Sequence, residues 1–272
     1  MFLAAALLLS SAAAQQSQNP SPMVEHTRAH PRLKEESPAG RREKLELGTL
    51  YIPPEFSGTL LFFFHGGTWL PEVAADRNHM AVVSVQAGSG SGTYARLFDN
   101  PDRFLALLKE VEAKVRFTRV LLGGWSAGCG AVRQILRSPA AYERVAGVLL
   151  IDGIHTDYPD GKPGPLESKI GTENLDVWAQ IGRDAIAGKK RVVITHSEIF
   201  PGTFASTTET ADYLLKLLGV TRTAVLQWGP MQTQQLSEAK SGGFLLMGFA
   251  GNSAPDHVDQ LHSLPDYLAL FH

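Results

Sequence analysis

The sequence predicts an α/β protein: a mostly parallel central sheet flanked by helices, in a single domain without a large cap. Three observations carry this. Short apolar runs alternate with longer segments of helical period along most of the chain. The runs are apolar at consecutive positions, as strands buried on both faces require. Polar, glycine-bearing turns separate the two kinds of segment, the order expected of right-handed crossovers in a parallel sheet. At 272 residues and 44% apolar content, the chain can bury one large core.

In order, the expected strands are 59–65 (TLLFFFH), 80–86 (MAVVSVQ), 119–125 (RVLLGGW), 146–152 (AGVLLID), 190–196 (KRVVITH) and 243–249 (GFLLMGF). Helices are expected over 94–115, 130–138, 174–188 and 206–219. Leu214, Leu215 and Leu218 recur there at helical spacing, and Ser206 with Glu209 forms a capping box ahead of them.

Before the domain, residues 1–14 have the layout of a secretory signal peptide. An apolar run from Phe2 to Leu9 leads to Ala12 and Ala14 in an A-x-A arrangement, too short to span a bilayer. Residues 15–44 are polar, charged and proline-containing and read as an arm or linker, so the domain is expected over 45–272. A secreted or periplasmic protein is the expectation, with no membrane attachment once the leader is removed. Cys129 is the only cysteine, which excludes an intrachain disulfide and reads as a packing residue.

The net charge of −2, from 25 basic and 27 acidic residues without a long run of either sign, does not indicate a nucleic-acid surface. A small-molecule substrate is expected instead. Parallel sheets place sites at the carboxyl ends of their strands. The residues there are His65-Gly66-Gly67, Ser126, Asp152 with His155, His196 with Glu198, and His257.

Gly124-Trp125-Ser126-Ala127-Gly128 fits G-x-S-x-G between an apolar strand and a helix. A serine hydroxyl attacks only when exposed beside a base, and a sharp strand-to-helix turn with small flanking residues exposes it. The developing oxyanion needs N–H donors already in place. The backbone of Ala127 is one, and Gly67 is the other, with Gly66 or Thr68 as alternatives. A base must reach Ser126 with its second nitrogen held by a carboxylate. His257, in a polar, glycine-bearing loop, is preferred to His262, which lies inside an apolar-periodic segment. For the acid, Asp152 ends a strand and preserves the chain order serine, acid, histidine. Glu198 and Asp157 remain alternatives.

With these residues in place, the chain resembles the α/β-hydrolase fold family. The resemblance rests on His65-Gly66-Gly67, on the turn around Ser126 and on His257, and spans residues 45–272. It implies an esterase-like serine hydrolase (carboxylesterase-like) with a Ser-His-Asp triad, a small-molecule ester substrate, no metal and no organic cofactor. The segment after strand 190–196 lacks the aspartate usual in that family, which leaves the acid open. The polar segment 153–173 is expected to form a loop over the site, with Trp69, Trp125 and Phe200 nearby. Two rival readings are a non-catalytic binding protein on the same fold and a metal-dependent hydrolase using His65, His155, His196, His257 and Asp152. The latter set lacks a compact ligand spacing.

Overall fold

The computed structural model describes residues 32–161, 163 and 169–272. The leader expected over residues 1–14 lies outside them, as do residues 15–31 of the arm.

The strands are β1 (Arg41–Lys44), β2 (Thr49–Ile52), β3 (Thr59–Phe64), β4 (Ala81–Val85), β5 (Arg119–Trp125), β6 (Gly147–Ile151), β7 (Arg191–His196), β8 (Thr223–Trp228), β9 (Gln234–Ser241) and β10 (Phe244–Phe249). Among the described residues they make one ten-stranded sheet in the order β1-β2-β4-β3-β5-β6-β7-β10-β9-β8. The run from β4 through β3, β5, β6 and β7 to β10 is parallel throughout. Those strands are the six read from the sequence. Antiparallel strands close both ends, β1 and β2 on one side and β9 and β8 on the other.

The helices are α1 (Trp69–Arg77), α2 (Ser91–Arg96), α3 (Asp102–Glu112), α4 (Cys129–Leu136), α5 (Pro139–Arg144), α6 (Asp176–Ile186), α7 (Thr207–Leu218), α8 (Ala254–His262) and α9 (Leu264–Ala269). The single helix expected over 94–115 is two, α2 and α3. Pro101 disfavours helical backbone at the residue before it, and the Asn100 side chain caps the new start by accepting from the Asp102 amide at 3.0 Å. The capping box of α7 is present, and Gly219 ends that helix in the left-handed conformation.

Side chains of β3 show how the sheet sorts its core. Leu60, Phe62 and Phe64 join one apolar cluster, and Leu61 and Phe63 the other. The first cluster is covered by α2 to α7, and the second by α1, α8 and α9. All five side chains are fully buried, each worth about 1.5–3 kcal/mol of transfer free energy.

Folded structure begins ahead of Leu45. Arg41–Lys44, placed in the arm by the sequence pattern, forms β1, and Arg42 Nε donates to Glu72 on α1 at 2.8 Å. Arg32 ion-pairs with Asp259 on α8 at 2.7 Å. The pattern missed β1 because its alternation is among polar residues. Between β6 and α6 the described residues contain neither helix nor strand, so no cap is built from them there.

Candidate active site

Ser126 occupies the turn from β5 into α4, at φ 50°. A non-glycine residue held in that region is strained, and the strain is sustained here by close packing. A Cβ on Gly124 would stand 2.7 Å from the Cys129 nitrogen, and one on Gly128 would collide with the Phe64 carbonyl oxygen. Small residues at both positions let the turn close against the end of β3. Cys129 is buried, donates its thiol to the Gly124 carbonyl at 3.3 Å, and has its pKa pushed up by burial. It is a packing residue, as expected.

Asp152 follows β6 at φ 44°, is almost completely buried, and collects four hydrogen bonds. His257 Nδ1 lies 2.7 Å from Oδ2. Ser197, just past β7, donates its hydroxyl to Oδ2 at 2.7 Å and its amide to Oδ1 at 2.9 Å. Thr207, the first residue of α7, donates its hydroxyl to Oδ1 at 2.7 Å. Burial by itself would raise the carboxyl pKa. The hydrogen bond and charge of the His257 imidazole, with the Ser197 and Thr207 donors, outweigh it and hold Asp152 well below the usual carboxylate range.

His257 lies in the first turns of α8, not in a loop as the sequence suggested. Its carbonyl accepts from Trp125 Nε1 at 3.0 Å, and the two rings approach at 4.6 Å between centroids. Trp125 in turn stacks on His65 at 5.0 Å and 12°. The residue before Ser126 therefore buttresses the imidazole, a relationship that no spacing in the sequence signals. Ser126, Asp152 and His257 line one cavity of about 260 Å³, whose other walls include His155, Ile199 and Phe204.

The rival residues fall elsewhere. Glu198 is exposed and lines a separate cavity with His196 and Arg222. Asp157 is exposed on a neighbouring cavity that His257 does not line. His262 packs on Trp69, 5.8 Å between ring centroids. Phe200 is 46% exposed, and Phe204 is the aromatic of the cavity wall. His65 bonds through Nδ1 to the Tyr94 hydroxyl at 3.0 Å, and His196 Nε2 faces an Arg222 guanidinium nitrogen at 2.8 Å. Among the described residues no group of three or more His, Cys, Asp or Glu is placed to hold a metal ion.

Of the two expected oxyanion donors, Ala127 is in the first turn after β5, where amides lack partners within the helix. The Gly67 amide has a side-chain partner: it donates to Gln86 Oε1 at 3.0 Å, and Gln86 Nε2 returns a bond to the Gly67 carbonyl at 2.7 Å. The partners Ser197 and Thr207 were also missed, because a hydroxyl after a strand or at a helix start is too common to mark a site.

No family model and no curated protein matches the chain. Among solved structures it is similar to a soluble variant of a monoglyceride lipase from Saccharomyces cerevisiae, at 10% identity and TM-score 0.45, over 87% of this chain and 97% of that one. It is similar to a cold-adapted esterase from an Arctic intertidal metagenomic library, at 17% identity and TM-score 0.48, over 86% and 98%. A poly(3-hydroxybutyrate) depolymerase from Bordetella parapertussis is similar at 18% identity and TM-score 0.43, over 79% and 80%. The parallel strand order, the serine on the turn after β5, and the succession of serine, buried aspartate and histidine give this chain an α/β-hydrolase fold.

Proposed function

We propose that the protein is a serine hydrolase of carboxylic esters, working through an acyl-enzyme on Ser126. The observation that carries the reading is the 2.7 Å contact between His257 Nδ1 and the buried carboxylate of Asp152, in a cavity that Ser126 also lines. With Nδ1 donating to Asp152, the other ring nitrogen is left as the acceptor, the tautomer a general base needs. His257 takes the Ser126 proton as Oγ attacks the substrate carbonyl. The Ala127 amide and the His65-Gly66-Gly67 turn receive the oxyanion. Within that turn Gly66 has the amide not tied to Gln86, and it takes the role expected of Gly67.

The tetrahedral intermediate collapses as protonated His257 gives its proton to the departing alcohol. Water, deprotonated by the same imidazole, then releases the acid and restores Ser126. Asp152 stays ionised throughout, held so by Ser197 and Thr207, and stabilises the imidazolium by charge. No metal or organic cofactor enters this chemistry. Export by the leader over residues 1–14 belongs to the same reading, checked by N-terminal sequencing of protein recovered outside the cytosol.

A fluorophosphonate probe and a panel of chromogenic esters of rising acyl length test the proposal. Wild-type protein is expected to label and to hydrolyse short esters, and Ser126→Ala to do neither while unfolding at the same temperature. Folded wild type that neither labels nor hydrolyses would leave a non-catalytic binding protein as the reading.

A further inference from the structure

Ser126 also borders a second cavity, of about 470 Å³, whose walls include Ser91, Ala127, Arg133, His155, Asp157 and Asn174. Its chemistry differs from that of the first. Arg133 projects from α4, seven positions after Ser126, and the half-buried side chain has its Nε fully buried without a hydrogen-bond partner among the described residues. A buried donor left unmet costs about 1–3 kcal/mol, and the guanidinium that carries it belongs to a residue of the cavity wall.

Arg133 is the cation of this cavity wall. Arg137, one helical turn on, is exposed and lines a different cavity, and its partners are neutral oxygens: Gln134 Oε1 at 3.2 Å, the Glu173 carbonyl at 3.3 Å and Asn174 Oδ1 at 3.2 Å. Burial and Arg137 both disfavour the charged guanidinium, as they would for a cation short of a counter-charge. Asp157 acts on it only through space and is itself exposed, where a charge is hydrated and screened. Burial holds His155 predominantly neutral at pH 7.

The two cavities also divide the substrate. An alcohol must leave on the side of the group that protonates it, and His257 lines only the first cavity. The acyl group therefore takes the second. Resting on the hydrolase reading above, we infer that the second cavity is an acyl subsite for a carboxylate, that the preferred substrates are esters whose acyl chain ends in a negative charge, such as hemiesters of linear dicarboxylic acids, and that Arg133 is the residue that selects them. From the start of α4 at Cys129 to Arg133 the helix rises about 6 Å, which sets Arg133 beyond the turn of Ser126 and suits a chain of several carbons between the ester and the carboxylate.

The test compares 4-nitrophenyl hemiesters of glutarate and adipate with the neutral pentanoate and hexanoate, each corrected for spontaneous hydrolysis. A butyrate ester of 4-hydroxybenzoate places the charge on the alcohol instead. Wild type is expected to favour the anionic acyl esters by about tenfold or more in kcat/KM, an advantage that shrinks as ionic strength rises. The ratio is expected to fall to near one in Arg133→Gln and to recover in part in Arg133→Lys, with no advantage for the charged alcohol. No preference in wild type, or one that survives in Arg133→Gln, overturns the inference while Ser126-dependent cleavage of the neutral esters leaves the hydrolase reading intact. Absence of any Ser126-dependent cleavage overturns both.

Discussion

Asp152 Oδ2 and His257 Nδ1 meet at 2.7 Å across 105 positions of chain, in a site where the carboxylate is buried and the imidazole reaches a cavity. Asp152→Asn would keep the shape but offer an amide where the imidazole needs a charged acceptor. A loss of about a thousandfold or more in kcat is expected, with a smaller change in KM. Glu198→Gln, altering an exposed carboxylate on another cavity, is expected to stay within about twofold of wild type. A reversal of the two effects would move the acid to Glu198.

In the proposed mechanism Thr207 is a positioning residue that acts through Asp152. Thr207→Val keeps the side-chain shape and removes the hydroxyl that donates to Oδ1 at 2.7 Å. The buried carboxylate then has one donor fewer, at a cost of about 1–3 kcal/mol. The melting temperature and kcat should fall together, and Thr207→Ser should restore both. A Thr207→Val protein with an unchanged kcat profile against pH would show that the hydroxyl does not serve the dyad.

How much of this was readable follows from where each signal resides. The six parallel strands are apolar on both faces, so their composition announces them. β8 is mostly exposed and β9 alternates buried with part-exposed positions, and in both the polar residues hide the strand. Ser126 was legible because its turn imposes small residues at fixed spacing. α8 was not recognised around His257, although Ser253 and Pro255 are helix-start residues that could have revealed it. Gln86 on Gly67, Trp125 on His257, and Ser197 and Thr207 on Asp152 are long-range contacts. They depend on how β4, β7, α7 and α8 come together, and no local pattern encodes them.

Acid should destabilise the protein in two windows of pH. Burial, followed by the positive charges of His257 and Arg133, lowers the His155 pKa from 6.5 to about 4, against the pull of Asp152. The unfolded chain then binds the proton more tightly between those values, so stability falls as pH drops from 6.5 towards 4. Asp152 acts in the same direction over a lower window. Its lowered pKa contributes stability above the ordinary carboxylate value of about 3.9, lost as pH falls below it. Melting temperatures from about pH 7 to 4.5 should therefore decline less steeply in His155→Gln than in wild type. Parallel curves would show that His155 does not titrate with folding.

The turn itself can be tested apart from any chemistry. A methyl group on Gly128 has to displace the Phe64 carbonyl, which belongs to β3 in the middle of the sheet, and backbone there cannot give way as a side-chain end could. Gly128→Ala should cost about 1–3 kcal/mol or more in stability. It should also lower kcat, because relief of the clash rotates the turn and carries Ser126 away from His257. Gly92→Ala offers a comparison: its added carbon would meet only the end of the Arg96 side chain, at 3.4 Å, which can swing aside. A Gly128→Ala protein as stable as Gly92→Ala, with full fluorophosphonate labelling, would mean that the turn is looser than its packing against β3 implies.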